Sequence, residues 1–373
     1  MRRFIVSLVI MVSSAIIPML AHADVNDFTR FDDEVRGAPY SLFLPADWNG
    51  DLVLLVHGSI PGQFEALAQG LMAQGFGVAY STLPPNVGEG AALKEVTLNT
   101  RVVQTQFTQH FGKPERTYLF DLSRGATTTE NLVETSPARY AGVFSVCGGN
   151  GGAQLAWDYF FTSRILFDYY FPGVLPGSVF QMPPLTVNEY FGQVFPTVVQ
   201  AVLNNLGAAE EMASVDQYDL QHNDVAELAS GIAFSLLVHS IGVNDLLQAA
   251  HGNPFDNSGT VYTGSSDDDA LNEGVVRLLM NPQAVHYLRV WYEPDGSIGK
   301  TPVLVLHTER DPITPERSHN DKYEDLITST GNEDFFVRRV IDRFGHCAFS
   351  NEELISHFAD LVFWVETGVR PTP

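Results

Sequence analysis

Short apolar runs alternate with stretches in which apolar residues recur every three or four positions, from Asp24 to about Cys147 and again from Thr301 onward. Tyr40 to Leu44 reads as an early strand closed by Pro45. Asp51 to Val56, DLVLLV, is almost wholly apolar, as in a strand buried on both faces. Leu67, Leu71 and Met72 mark one side of a helix over about 64–75, and Gly77 to Ser81 reads as the next strand. Val96, Val103, Phe107 and Phe111 follow at helical intervals and predict a helix over about 91–111. Tyr118-Leu119-Phe120, Ala141 to Val146, Pro302 to Leu306 and Phe335 to Ile341 supply further strands. Ser350 and Glu353 form a capping box for a last helix carrying Leu354, Phe358, Leu361 and Val365. Alternation of this kind predicts an α/β fold, a mostly parallel sheet with helices on its faces.

The alternation lapses between about 149 and 300. That segment is rich in aromatic residues, among them Trp157, Tyr159, Phe160, Phe161 and Phe167, and is punctuated by Pro172-Gly173 and Pro176-Gly177. Helical spacing recurs around Val198 to Leu206 and Ile232 to Leu247. The segment reads as a large, mainly helical cap inserted into a core formed by 24–148 and 301–373. Asp267-Asp268-Asp269 lacks the ligand spacing of a calcium loop and reads as a helix start before Ala270 and Leu271.

Ahead of the core stand Met1-Arg2-Arg3, an apolar run from Phe4 to Leu20, and Ala21-His22-Ala23. A basic start, an apolar centre and an A-x-A site describe a secretory signal peptide, with cleavage expected after Ala23 and a periplasmic or secreted product. No later stretch is expected to be long and apolar enough to span a bilayer. The 373 residues carry a formal charge of −23. Such a balance argues against nucleic acid and anionic membrane surfaces as partners. Oligomeric state is not readable from it.

Candidate chemistry centres on Thr117 to Glu130, where an apolar run leads through Asp121-Leu122-Ser123-Arg124-Gly125-Ala126 into a helix-compatible segment. A serine on a strand-to-helix turn has its hydroxyl pushed out at the end of the sheet, and small residues beside it let the helix pack close. Asp121 stands where the G-x-S-x-G pattern has its first glycine. Three further features complete the picture: His57-Gly58 after the DLVLLV strand, Asp311 after a late strand, and Gly345-His346 near the C-terminus. In the order Ser, Asp, His, these pieces make nearly the whole chain resemble the α/β-hydrolase superfamily.

The resemblance implies a serine nucleophile at Ser123, His346 as the base that takes its proton, and Asp311 as the acid that orients His346. It also implies an oxyanion hole formed by the backbone N–H groups of Ser59 and Arg124. Glu309 and Asp342 are rival acids. The Arg124 side chain could pair with Asp121 or an acid of the cap, or bind a substrate carboxylate. His110, His222, His239, His251, His286, His307, His319 and His357 show no metal-ligand spacing and read as structural or solvated. No phosphate loop or dinucleotide fingerprint sits at a matching junction, so no cofactor and no metal is expected.

The same resemblance places both cysteines at the C-terminal edge of the sheet, Cys147 closing the strand beside that of Ser123 and Cys347 following His346. Export permits a disulfide between them, which would hold the His346 loop against the sheet. The His-Cys pair is similar to the arrangement in the tannase and feruloyl esterase family, although here Leu122 and not cysteine precedes the serine.

A nucleophilic serine implies acyl transfer to water. The expected activity is hydrolysis of a carboxylic ester, small or polymeric, with the aromatic cap supplying an apolar pocket over Ser123. Arg310-Asp311-Pro312-Ile313-Thr314-Pro315 resembles the acid loop of exported tripeptidyl aminopeptidase-like hydrolases. A serine peptidase, with Glu210 or Glu211 holding a substrate amine, is therefore the alternative. A hydrolase fold without activity, used for binding, is the third reading.

Overall fold

A computed structural model describes residues 27–56, 61–83 and 93–373. The signal-peptide segment and His57-Gly58-Ser59 lie outside the described residues. The eight strands are β1 (Phe28–Val35), β2 (Ala38–Pro45), β3 (Leu52–Val56), β4 (Gly77–Ser81), β5 (Thr117–Leu122), β6 (Gly142–Val146), β7 (Val303–Arg310) and β8 (Phe336–Phe344). They form one sheet in the order β1-β2-β4-β3-β5-β6-β7-β8. β2 runs antiparallel to both of its neighbours, and every pair from β4 to β8 is parallel. β3, β4 and β6 are buried along their whole length, in keeping with their largely apolar sequences.

Helices cover both faces. On one, α1 (Pro61–Met72) and the C-terminal helix 351–367 bury Leu67, Leu71, Leu354, Phe358 and Leu361 against the sheet. On the other, α2 (Leu93–Phe111) and α3 (Gly125–Thr135) bury Val96, Val103, Phe107, Leu132 and Val133. The C-terminal helix starts with the capping box read from sequence: Ser350 Oγ accepts from the Glu353 N–H, and the Glu353 carboxylate accepts from the Ser350 N–H at 2.8 Å. Gly368 ends it in the left-handed conformation, φ 74°.

Between β6 and β7 the described chain is helical: α4 (Ala153–Tyr170), α5 (Val187–Glu189), α6 (Phe195–Asn204), α7 (Leu206–Ala213), α8 (Val225–Ser235), α9 (Leu237–Ala249), α10 (Asp268–Gly274) and α11 (Pro282–Tyr292). The core then resumes with β7, α12 (Glu316–Ser329), β8 and α13 (Asn351–Thr367). The insertion has a hydrophobic core of its own. Trp157, Phe160, Phe161 and Phe167 of α4 are packed into it together with Tyr190, Leu228 and Ile232. The aromatic richness read as a substrate pocket therefore serves largely to hold the insertion together. Asp267 caps α10 as expected, its carboxylate accepting from the Ala270 N–H at 3.0 Å.

One expectation is corrected here. Val225–Ala249, which spans α8 and α9, is long and apolar enough by length and composition to cross a membrane. Its apolar residues Leu228, Ile232, Leu236 and Val243 face the core of the insertion, and 56% of its most apolar 18-residue window is buried in the fold. Its hydrophobicity is accounted for by that packing.

Candidate active site

The chain leaves β5 at Leu122 and enters α3 at Gly125, so two residues make the turn. Ser123 takes φ 55°, a left-handed conformation that is uncommon for a non-glycine residue and strained by roughly 1–3 kcal/mol. The Ser123 N–H donates to the Val146 carbonyl at 2.9 Å, which ties the turn to the end of β6. Gly125 allows the close approach: a Cβ there would stand 2.0 Å from the Val56 carbonyl oxygen at the end of β3. That contact is why the position after Arg124 admits no side chain.

Asp121 is an ordinary strand residue, and the strain falls two positions later, on Ser123. Its carboxyl points into a fully buried nest of hydroxyls, with Thr129 Oγ1 at 2.5 Å and Ser145 Oγ at 2.9 Å. Burial pushes this carboxyl up to about 7, against hydrogen bonds from Thr129, Ser145 and the Val146 N–H. Asp121 thus ties β5 to α3 and β6, where the motif otherwise has glycine.

Ser123, His346 and Asp311 come together from the ends of three strands. Ser123 Oγ lies 2.7 Å from His346 Nε2, and His346 Nδ1 lies 2.8 and 3.0 Å from the two Asp311 carboxylate oxygens. Ser123 and His346 are half-buried, while Asp311 is buried beneath them. Asp311 Oδ1 also accepts from the N–H groups of Ile313 at 2.8 Å and Thr314 at 3.0 Å, an acidic cap on the turn after β7. Burial alone would raise this carboxyl, but the charge of His346 and the hydrogen bonds from His307 and His346 outweigh it and hold Asp311 well below the usual carboxylate range. The rival acids are engaged elsewhere, since Glu309 and Asp342 both pair with Arg310.

The His346 loop is fixed on both sides. Gly345 donates to the Arg310 carbonyl at 3.0 Å and accepts from Thr308 Oγ1 at 2.7 Å. Cys347 is disulfide-bonded to Cys147, with Cα atoms 5.2 Å apart, so the residue after His346 is joined to the end of β6. Both half-cystines have positive φ, 47° and 50°. Cys147, His346 and Cys347 place three possible ligand atoms within 4.8 Å, but both sulfurs are committed to the bond and neither is available as a thiolate.

Of the two backbone donors expected for an oxyanion hole, Ser59 lies outside the described residues. Arg124 stands at the N-terminus of α3, with φ −61° and ψ −15°. The candidate amine-binding acids take part in contacts within the insertion: Glu210 is 3.5 Å from His222, and Glu211 accepts from the Ser266 N–H at 2.8 Å.

The insertion reaches the candidate site at the acid loop. Tyr159 Oη donates to the Pro312 carbonyl at 2.9 Å, and Arg310 Nε donates to Glu227 of α8 at 3.0 Å. Two contributors were not singled out from sequence. His307 lies beside Asp311, 3.3 Å from Oδ2, and Thr314 Oγ1 bridges the acid loop to the Cys147 carbonyl at 3.0 Å.

This strand order, with a serine on the turn after β5, an acid after β7 and a histidine after β8, is the α/β-hydrolase fold. No protein-family model and no curated relative matches the chain. Solved structures do. Feruloyl esterase B from Aspergillus oryzae is 14% identical with a TM-score of 0.48, over 92% of this chain and 81% of that one. Carboxyl esterase 2 from Tuber melanosporum is 12% identical with a TM-score of 0.44, over 91% and 84%. An acylaminoacyl peptidase from Pyrococcus horikoshii is 12% identical with a TM-score of 0.45, over 91% of this chain and 41% of that one.

Proposed function

We propose that the chain is an exported serine hydrolase that cleaves a carboxylic ester through an acyl-enzyme on Ser123. The observation that carries this reading is the continuous line Ser123 Oγ, His346 Nε2, His346 Nδ1, Asp311 Oδ2, with links of 2.7 and 2.8 Å, on a serine held at φ 55°. In it His346 accepts the Ser123 proton as the hydroxyl attacks the ester carbonyl. Asp311 keeps Nδ1 protonated and stabilises the imidazolium that forms. In this reading the oxyanion is met by the Arg124 N–H at the start of α3, the second donor expected from the sequence being that of Ser59, outside the described residues. His346 then protonates the departing alcohol, water takes its place, and the same groups run the second half in reverse.

Burial of Asp311 supports this assignment, because a buried and ionised carboxylate beside a half-exposed imidazole is the arrangement that keeps the proton on the ring. In this reading the helical insertion, fixed to the acid loop by its contacts at Pro312 and Arg310, is the element that selects the acyl group. Ester hydrolysis is favoured over aminopeptidase activity because both acids suggested for amine binding have partners inside the insertion. The test is a parallel panel of p-nitrophenyl esters and aminoacyl p-nitroanilides with the wild type and Ser123→Ala. Ester turnover lost in the variant by a factor of about 10⁴ or more supports the reading. Turnover of the anilides alone would replace it with the peptidase.

A further inference from the structure

The acid at the end of β7 has a second imidazole. His307 lies four residues before Asp311, and its ring is fully buried. Its Nε2 stands 2.9 Å from the Thr314 carbonyl oxygen and 3.3 Å from Asp311 Oδ2. A carbonyl and a carboxylate oxygen only accept, so Nε2 must carry the ring proton, donated to the nearer Thr314 carbonyl with the Asp311 oxygen beside it. On the other edge, Nδ1 is 3.0 Å from the side-chain nitrogen of Asn320. That nitrogen is also 3.3 Å from Glu316 Oε1, which accepts from Arg338 Nε at 2.5 Å. A carboxylate facing the amide selects its NH₂ edge, and the NH₂ in turn makes Nδ1 an acceptor. The tautomer of His307 is therefore set from the surface inward, by Arg338, Glu316 and Asn320 in turn.

The two oxygens of Asp311 differ in what else they receive. Oδ1 has two backbone N–H groups and lies 3.0 Å from His346 Nδ1. Oδ2 has His346 and two remaining neighbours, Thr314 Oγ1 at 3.2 Å and His307. The single hydroxyl proton of Thr314 has a nearer acceptor in the Cys147 carbonyl at 3.0 Å. His307 Nε2 is the remaining neighbour of Oδ2 on the side away from His346, a 3.3 Å contact beside its 2.9 Å hydrogen bond to the Thr314 carbonyl. The other titratable groups around its ring are Glu316 and His319 of α12, with Arg338 behind Glu316.

We propose that His307 is a positioning residue for the reaction at Ser123: held on the Thr314 carbonyl of the acid loop, its Nε2–H lies against Asp311 Oδ2 and takes up part of the carboxylate's negative charge. The inference rests on the function proposed above and adds a second imidazole to it. By drawing charge from Oδ2, His307 lowers the affinity of the Asp311–His346 pair for a proton. It thereby keeps His346 available as a base to lower pH.

The test compares wild type, His307→Phe, which removes the N–H, and His307→Gln, whose amide can present an N–H near the same place. Two readouts are taken: the rate of fluorophosphonate labelling at Ser123 against pH, and ¹⁵N-histidine NMR of the intact protein. The wild-type spectrum should show His307 as the Nε2–H tautomer. His307→Phe should label roughly tenfold more slowly near neutrality, with the acid limb of its pH profile moved up by roughly one unit, and His307→Gln should recover most of the loss. An Nδ1–H tautomer in the wild type, or a folded His307→Phe with an unchanged rate and profile, would overturn the proposal. Should the wild type take no label, the hydrolase reading fails, and the tautomer together with the response of the His346 ring signals to His307→Gln still decides the role of His307.

Discussion

Asp121 offers a perturbation whose size and sign follow from the structure. Its ordinary value is 3.8, and burial raises it to about 7 in the fold, so the folded chain binds a proton here that the unfolded chain has lost. For a carboxyl raised by folding, stability at this site is fully present below about pH 4 and declines as pH rises toward 7. Above 7 the decline is complete, because the buried group is then charged in the folded state as well. The interval corresponds to about 4 kcal/mol as an upper figure. Neutral Asp121 can donate to Thr129 Oγ1, which passes its own proton to the Ala126 carbonyl at 2.9 Å, while Ser145 Oγ donates to Oδ1. An asparagine with its NH₂ toward Thr129 reproduces that pattern without a charge. Asp121→Asn should therefore match the wild type near pH 4 and exceed it at pH 9, with a melting-temperature gain on the order of 5–10 °C. Thermal unfolding of both proteins from pH 4 to 9 measures it, and the difference between the two curves isolates Asp121 from Glu130, Glu134 and Asp158, which burial also raises. A difference curve that is flat across pH 5–8, or one that favours the wild type at high pH, would refute the reasoning.

Other substitutions test the remaining parts of the site. Gly125→Ala should drive α3 away from β3, since its Cβ would meet the Val56 carbonyl, destabilising the fold by about 1–3 kcal/mol in thermal melts and lowering Ser123 reactivity with it. Cys147→Ser with Cys347→Ser removes a cross-link between residues 200 apart and should lower stability by about 4–5 kcal/mol in denaturant titrations. Alkylation without reductant should find no free thiol in the wild type, and two alkylatable cysteines would contradict the bond. Asp311→Asn should leave the fold in place and lower ester turnover by about 10⁴, because an amide facing Nδ1 favours the wrong tautomer of His346.

Much of the architecture was legible because burial on both faces writes itself as nearly continuous apolar runs, unbroken in Leu52–Val56 and interrupted only by Ser145 in Gly142–Val146. Local chemistry was legible too: Ser350 with Glu353 and Asp267 cap helices as their side chains require. β1 was not read, because FTRFDDEV is an edge strand exposed along most of its length and shows no alternation of apolar and polar residues. α12 was missed for the opposite reason. The residues it buries include Glu316, His319 and Asn320, polar groups whose partners are distant in sequence. His307, read from the sequence as structural or solvated, could not be tied to the site on the same ground, since its meeting with Asp311 depends on the turn that carries the chain back over the end of β7. At Asp121 the motif reading located the departure from glycine, and the hydroxyls of Thr129 and Ser145 that accommodate it become visible only once β5, β6 and α3 are side by side.

The central claim is that Ser123 is an activated nucleophile. Its most direct measurement is labelling of the purified protein with a fluorophosphonate, mapped by peptide mass spectrometry, with Ser123→Ala and His346→Ala as controls. The account predicts a single label on Ser123, absent from Ser123→Ala and slowed by several orders of magnitude in His346→Ala. A folded wild-type protein that takes no label, or takes it at another serine with Ser123→Ala unaffected, would contradict it.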